Sequence, residues 1–593
     1  DEYRIWQGSD FDLHGAIDLS RAEGKELSLL QLLEVTSELE PAVAGRHSQQ
    51  TGILRVFERV YVDAETFNGA LDIPAAWDGR VLLATETVDL KASNVTGQKP
   101  VMILESGSVE GLKDKALEVY ALDKALTRAL ASNVDWVALQ ELKERKHVAQ
   151  QQLNRAVFDS WTANTVTIHI ATAPDTKTGG FQKLRKSSRT LSSTLSDLCD
   201  SFYPQTPKVA NEMLAKREMS SQGAKARRLL IEAMIAHEDL EYFGLSGHGP
   251  ERAMYDAMFK STEMHKKTRA GWKLTPPADP DWLAAWTTVR QKLEQTSEKR
   301  LTINEVLAPL TEPPFGLKDG ILPVFAATIL RHATDDVGVY EHGSLVLTLD
   351  DAVAERLARN PGNFEVAYLG ATSGARKSVI DALATKLSIT KASGEATFID
   401  VVRAVYSWRR YFTPFTQQTT HGLSNPSFEV KTACSEAVEP DALFFRDLPK
   451  ALGTSPFAAG DRAAKARSAA FAGELMQVME ELQGRYQVLL DDVALDMGQK
   501  TGTPAKDLAE LRAKLSGQGV NLLDRILDKR LKAFVGALTR EHLSDDDWIQ
   551  NVAMVVAEGV PPRSWTDEAW ARFGQNLTEL GGKLRRVQAL FYE

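Results

Sequence analysis

The sequence predicts a mainly α, multidomain protein: a small α/β N-terminal unit, a helical hairpin, a winged-helix domain and a C-terminal helical domain. Three observations carry this expectation. The 593 residues are several times the length of an ordinary domain of about 100–200 residues. Apolar residues recur at helical spacing from Leu112 onward. Strand-like runs are confined to the N-terminal part and a few short later stretches. A composition of 43% hydrophobic and 25% charged residues is that of folded globular chains, so disorder is not the theme.

The elements are expected in the following order. Residues 1–110 form the α/β unit. Tyr3 to Trp6 reads as a strand, and Gly8-Ser9-Asp10 supplies a turn and a helix cap whose side-chain oxygens accept orphan amide protons. Further strands fit Ile53 to Phe57 with Val60 to Val62, and Val81 to Leu83 after the turn Asp78-Gly79. Residues 111–200 hold a helical hairpin, with one stripe through Leu112, Ala116, Val119, Leu122, Leu126 and Leu130 and a second through Leu139, Leu142, Ala149, Leu153 and Val157. A short strand Val166 to Ile170 and a mobile basic loop, Asp175 to Arg189, follow, with the helix Leu191 to Phe202 after them.

Residues 201–275 are expected to be a basic helical domain, with helices at Lys208 to Lys216, Gln222 to Ile235 (capped by Ser220 or Ser221) and Pro250 to Lys260. Pro276, Pro277 and Pro280 mark its end. Residues 276–375 have the order helix, helix, break at Pro313 to Gly316, helix Leu317 to His332, then a hairpin turning at Glu341-His342-Gly343, the outline of a winged helix. Residues 376–593 are helical, with core stripes from Leu475 to Val493 and from Leu522 to Leu538.

No catalytic set emerges. The segment Gly370 to Ser378 approaches a phosphate-binding loop, but Lys377 in the lysine role leaves Ala371 and Arg376 at both glycine positions. Asp350-Asp351 after an apolar run mimics the acidic end of a nucleotide-site strand and reads more simply as a helix cap. The histidines show no metal spacing; His237-Glu238 lacks a second histidine four residues on. Asp491, Asp492 and Asp496 share a helix and read as its solvated side, and Ser544 before three aspartates reads as a helix start. No catalytic residue, metal ligand or cofactor site is assigned in this chain.

Charge patterning is the informative feature. A net charge of −10 argues against uniform wrapping of nucleic acid, so any phosphate contact must be local. Between Lys177 and Lys273 cations outnumber acids, and the candidate nucleic-acid residues are Lys183, Arg185, Lys186, Lys216, Arg217, Lys225, Arg227, Arg228, Lys266 and Lys267. The competing reading is a solvated helical surface with internal ion pairs. Two distant cysteines, Cys199 and Cys434, cannot build a disulfide framework, and no apolar run approaches the roughly 20 residues of a membrane span. A cytoplasmic protein without a membrane partner is expected. The start at Asp1, on a strand-like run without methionine, is expected of a piece of a larger protein.

Seven strings carry a family resemblance: YRIWQGSDFDL at 3–13, NEMLAKREMSS at 211–221, GPERAMY at 249–255, PPFGLKDGILP at 313–323, RLARNPGNF at 356–364, DALFFRDLPKALG at 441–453 and PPRSWTDEAW at 561–570. Together they resemble the region downstream of the NTPase core in very large bacterial P-loop ATPases of phage-defence islands (BREX PglY/BrxC-like). The resemblance spans most of the chain and is weakest over 90–110 and 160–190. It implies a non-catalytic assembly and recognition region that binds DNA or partner subunits, either sister defence-system subunits or copies of itself. It also implies that ATP and magnesium sites lie upstream of Asp1, since no glycine loop here matches the family's. The alternative is a purely structural helical scaffold that mediates protein–protein assembly without nucleic acid.

Overall fold

The computed structural model describes residues 11–91, 99–132, 135–162, 166–173, 180–184, 190–370, 374–390, 394–437, 439–458 and 460–592. The protein is mostly helical with several small sheets, and it divides into two compact units. Unit 1 comprises Asp1–His332 and Leu349–Val366; unit 2 comprises Ala333–Thr348 and Ala367–Glu593.

Unit 1 is built on a six-stranded sheet whose spatial order follows the sequence: β1 (Ala42–Val43), β2 (Val56–Val62), β3 (Gly79–Ala84), β4 (Val101–Glu105), β5 (Thr167–Ala171) and β6 (Phe181–Lys183). β2, β3 and β4 are parallel and the flanking pairs antiparallel. β3 is buried at all six positions, as expected of a parallel strand covered on both faces. The hairpin of helices Leu112–Ala131 and Trp136–Thr162 is present, and its stripes share one core with β2 to β4 and with helices Leu13–Gly24 and Leu29–Thr36, except that Leu130, at the end of the first expected stripe, is exposed. The stretches 1–110 and 111–200 therefore bury one apolar surface in common rather than two separate ones.

Local signals explain most boundaries. Asp12 caps the first described helix by accepting from the Gly15 amide at 2.9 Å, and Ser28 forms a capping box with Gln31; each such cap is worth about 1 kcal/mol. The strand expected at Tyr3 to Trp6 and the cap at Gly8 to Asp10 lie outside the described residues. Where two strands were expected between Ile53 and Val62, β2 runs unbroken through Glu58 and Arg59. Neither charge is fully buried, and Glu58 pairs with Arg80 on β3, whose Nε donates to it at 2.8 Å. The expected loop around Lys183 contains β6, an edge strand paired with β5.

Residues 208–216 do not form the expected helix. Asn211 instead holds a turn by accepting from the amides of Met213 and Leu214, both at 3.1 Å, an alternative to helix that asparagine side chains commonly offer. Ser220 caps the helix Ser221–Ala236 as expected. The stretch from Met264 to Leu274, placed in a helical domain by the sequence, is a two-stranded ribbon of β7 (His265–Thr268) and β8 (Gly271–Leu274). Helices Pro280–Glu294, Ile303–Leu307, Leu322–His332 and Asp351–Arg359 complete the unit. Eight consecutive residues of Leu322–His332, Pro323 to Leu330, are buried.

Three of the seven strings meet in unit 1. The Gly320 amide donates to Lys216 O at 2.9 Å, and Arg227 donates to Gly320 O and Ala358 O, both at 3.1 Å. A Cβ on Gly320 would come within 2.5 Å of Lys216 O and 2.7 Å of Leu214 O, so only glycine allows this approach. Beneath them, Arg55 is 1% exposed and donates to Gly316 O at 2.7 Å, to Thr206 Oγ1 and to Phe315 O, while its guanidinium lies over the Tyr203 ring. Asp78 balances Arg55 and the Lys318 ammonium, and also accepts from the Val56 amide. Burial alone would raise the Asp78 carboxyl, but Lys318 and Arg55 outweigh it and hold it below its ordinary value.

Unit 2 opens with the expected hairpin, Val337–Glu341 with Ser344–Leu345, whose turn residues His342 and Gly343 both have positive φ. Its axis is the 38-residue helix Ala464–Thr501, about 57 Å long at 1.5 Å per residue. The first half packs with helices Ala375–Lys386 and Phe398–Arg410 and with Leu443, Phe444, Phe445 and Leu448 of the DALFFRDLPKALG string. The second half shares a core with Lys529–Leu538, Asp545–Val556 and Asp567–Tyr592. Trp565 of the PPRSWTDEAW string is fully buried there, and Asp567 accepts from the Thr419 hydroxyl and from Thr420. The stripe expected from Leu522 to Leu538 breaks where Asp528 caps a new helix, leaving Leu527 exposed. Among the described residues no helix is long and apolar enough to cross a membrane.

Candidate nucleic-acid interface

The ten basic residues singled out by sequence fall into distinct groups. Arg185 and Lys186 lie outside the described residues. Arg227 is half-buried and spends its guanidinium on two backbone carbonyls; burial lowers its pKa. Arg228 pairs with Glu232 at 3.2 Å and Glu355 at 3.6 Å, Lys216 with Glu212 at 2.6 Å, and Arg217 with Asp319 at 4.0 Å. Lys216, Arg217 and Arg228 are thus paired with carboxylates inside the unit, and Arg227 is held by backbone carbonyls. Lys183 and Lys225 are exposed and make no ion pair among the described residues, but they stand on separate elements, an edge strand and a helix.

The remaining two, Lys266 and Lys267, belong to the ribbon, where they are joined by two cations outside the original ten, Arg269 and Lys273. All four are exposed. Among the described residues their one ion pair is Lys266 with Glu263 at 3.4 Å, between two exposed side chains, a contact worth at most about 1 kcal/mol. Register sets their directions. His265 opposes Leu274 on the buried face, Lys266 opposes Lys273 on the outer face, Lys267 opposes Trp272, and Arg269 sits in the turn. Like charges directly opposed across a ribbon repel, so Lys266 and Lys273 weaken the isolated hairpin they share.

The ribbon is nevertheless held firmly at its base. The His265 ring sits 4.2 Å from the Phe243 ring and 5.1 Å from that of Trp272. Its Nε2–H donates to Glu238 O at 2.8 Å, because a carbonyl can only accept, so Nδ1 accepts the Tyr255 hydroxyl proton at 2.7 Å. Burial pulls the His265 pKa below its ordinary value. Glu238 also accepts from the Leu274 amide at 3.1 Å and pairs with Arg331 at 2.9 Å. At the tip, Thr268 donates to Gly271 O at 2.8 Å and accepts from the Ala270 amide at 3.2 Å. The sequence signal for this ribbon was available: alternation around Arg269-Ala270-Gly271, with Trp272 beyond the turn.

The helix expected to read DNA in a winged-helix arrangement has no free face. Pro323 to Leu330 are buried, Lys318 before it is committed to Asp78, and Arg331 at its end to Glu238.

Other constellations resolve into structure. Asp350 caps its helix by accepting from the Val353 amide at 2.9 Å. Lys377, the lysine of the near-glycine loop, pairs with Glu395 at 2.6 Å, and Arg376 forks onto Asp441. A cavity of about 200 Å³ beside them is lined by Asp335, Asp336, Asp381 and Glu395 as well as Lys377, a net negative wall that repels phosphate. Asp492 faces Arg485 at 3.7 Å, and Ser544 caps its helix at Asp547. Among the described residues no cluster of His, Cys, Asp and Glu could hold a metal ion. Comparison of the chain with protein-family models, with curated proteins and with solved structures finds no match.

Proposed function

We propose that the chain is a non-catalytic assembly and recognition region of a larger ATPase, of the defence-island type its seven strings resemble, and that unit 1 contacts nucleic acid. The observation that carries the nucleic-acid part is the ribbon: four exposed cations within eight residues, one of them weakly paired, on a base fixed by hydrogen bonds. Phosphates are bound by cations that displace counterions, and a preorganised cationic surface loses little entropy on binding. Five of the strings support the assembly part, since they supply packing and hydrogen-bond contacts inside the two units: 211–221, 313–323 and 356–364 in unit 1, and 441–453 and 561–570 in unit 2. The winged-helix order over 276–375 enters this reading as a packing and docking module, because its third helix is covered.

Titration of the full chain against a short DNA duplex at low and moderate salt tests the proposal. With four phosphate contacts the affinity falls roughly 100-fold between about 50 and 200 mM salt. Absence of salt-sensitive binding overturns it and leaves the purely structural scaffold.

A further inference from the structure

The ribbon's geometry points to a specific ligand class, and we infer that β7–β8 enters the major groove of B-form DNA. This rests on the nucleic-acid reading above and goes further by choosing the form of nucleic acid and the groove. Two paired strands lie about 4.8 Å apart, and with side chains on both faces such a ribbon fits a groove about 12 Å wide but not one about 6 Å wide. The deep, narrow major groove of A-form RNA excludes it. Single strands bind instead along grooves lined with exposed stacking platforms. Here the one aromatic of the ribbon, Trp272, is half-buried and turned to the His265 side, with its ring 5.1 Å from the imidazole.

The placement of charge agrees. Lys266 and Lys273 stand directly opposite each other on the solvent face, a repulsive pair that an anionic wall on that side relieves. Arg269 projects from the tip, where a guanidinium can fork onto guanine O6 and N7. Lys267, opposite Trp272, is on the same face as His265 and is exposed toward the tip end of the ribbon. Insertion asks for a rigid ribbon. The Thr268 hydroxyl closes the tip, His265 is bonded at both ring nitrogens, and Thr275 continues the base by bonding to Met264 O and Glu263 O, at 2.8 and 2.9 Å.

The experiment compares the full chain on a B-form DNA duplex, an RNA duplex of the same sequence and the single DNA strand, with polyglutamate as competitor, and maps methylation of guanine N7 (major groove) and adenine N3 (minor groove) on the DNA. The expected result is at least about tenfold tighter binding to the DNA duplex than to either other nucleic acid, with N7 protection. Arg269→Ala is expected to abolish the protection, and Lys266→Glu with Lys273→Glu to weaken duplex binding about tenfold or more at unchanged thermal stability. Equal binding to all three nucleic acids overturns groove entry and leaves the nucleic-acid reading standing. Minor-groove protection alone also overturns groove entry. Binding to none of the three, or displacement by polyglutamate at equal charge concentration, overturns both.

Discussion

Two cationic regions of unit 1 put the same chemistry to opposite uses. Around Asp78, Arg55 and Lys318 are buried, and every charge has a partner within the fold: a carboxylate, two carbonyls, a hydroxyl and an aromatic face. On β7–β8 the cations are exposed, opposed to one another and almost without carboxylates, although the base that carries them is fixed by hydrogen bonds. The first arrangement ties loops to a sheet. The second leaves its charge exposed to solvent. A basic stretch therefore says little until its partners are subtracted, and Arg227 shows the difference within one helix turn: Lys225 beside it is exposed and makes no ion pair among the described residues, while Arg227 is committed to two carbonyls.

The comparison breaks most visibly at the buried site. Asp78→Ala leaves Arg55 and Lys318 buried without a counter-charge, and denaturant unfolding is expected to show a loss of about 3–5 kcal/mol. An effect below about 1 kcal/mol contradicts the buried network. Gly320→Ala drives a methyl into two backbone carbonyls and is expected to cost about 1–3 kcal/mol, measurable by the same unfolding curves. His265→Ala strands the Tyr255 hydroxyl and the Glu238 carbonyl and is expected to cost about 2 kcal/mol.

Acid sharpens the contrast. Burial lowers the pKa of His265, and of His47, where the hydrogen bond that its Nδ1–H donates to Asp200 only partly opposes it. Both rings are neutral in the folded state while the unfolded chain takes up protons near their ordinary value of about 6.5. Stability is thus fully present above about pH 6.5 and lost as pH falls from there toward the lowered folded-state values. Thermal unfolding between pH 7.5 and 5 checks this, and a flat profile in both wild type and His265→Asn contradicts it. At the small end, Lys267→Glu on the ribbon is expected to change stability by less than about 0.5 kcal/mol.

What the sequence revealed follows from periodicity and local caps. The helical stripes, the hairpin at His342-Gly343, the Ser220 cap and the helix starts at Asp350 and Ser544 depend on neighbouring residues and were legible. Elements decided by distant partners were not. Residues 208–216 have helical spacing, yet beside the Asn211 turn the Val209 amide donates at 2.8 Å to Thr51 O, far upstream in the chain. The commitment of Lys318 to Asp78 and of Arg227 to Ala358 O is likewise nonlocal, so sequence could count these cations but not see them engaged inside the fold. The ribbon was hidden differently: its alternating pattern is short, and its lysines and arginine dilute the apolar signal that marks a strand.

The most direct test of the central claim is the salt dependence of duplex DNA binding in two charge-reversed chains. One carries Lys267→Glu, Arg269→Glu and Lys273→Glu on the ribbon; the other carries Lys225→Glu and Arg228→Glu on the helix Ser221–Ala236. The ribbon variant is expected to lose about three units of the log–log salt slope while the helix variant loses at most about one, for Lys225, which makes no ion pair among the described residues. Equal losses from the two variants, or an unchanged slope in the ribbon variant, would contradict that claim.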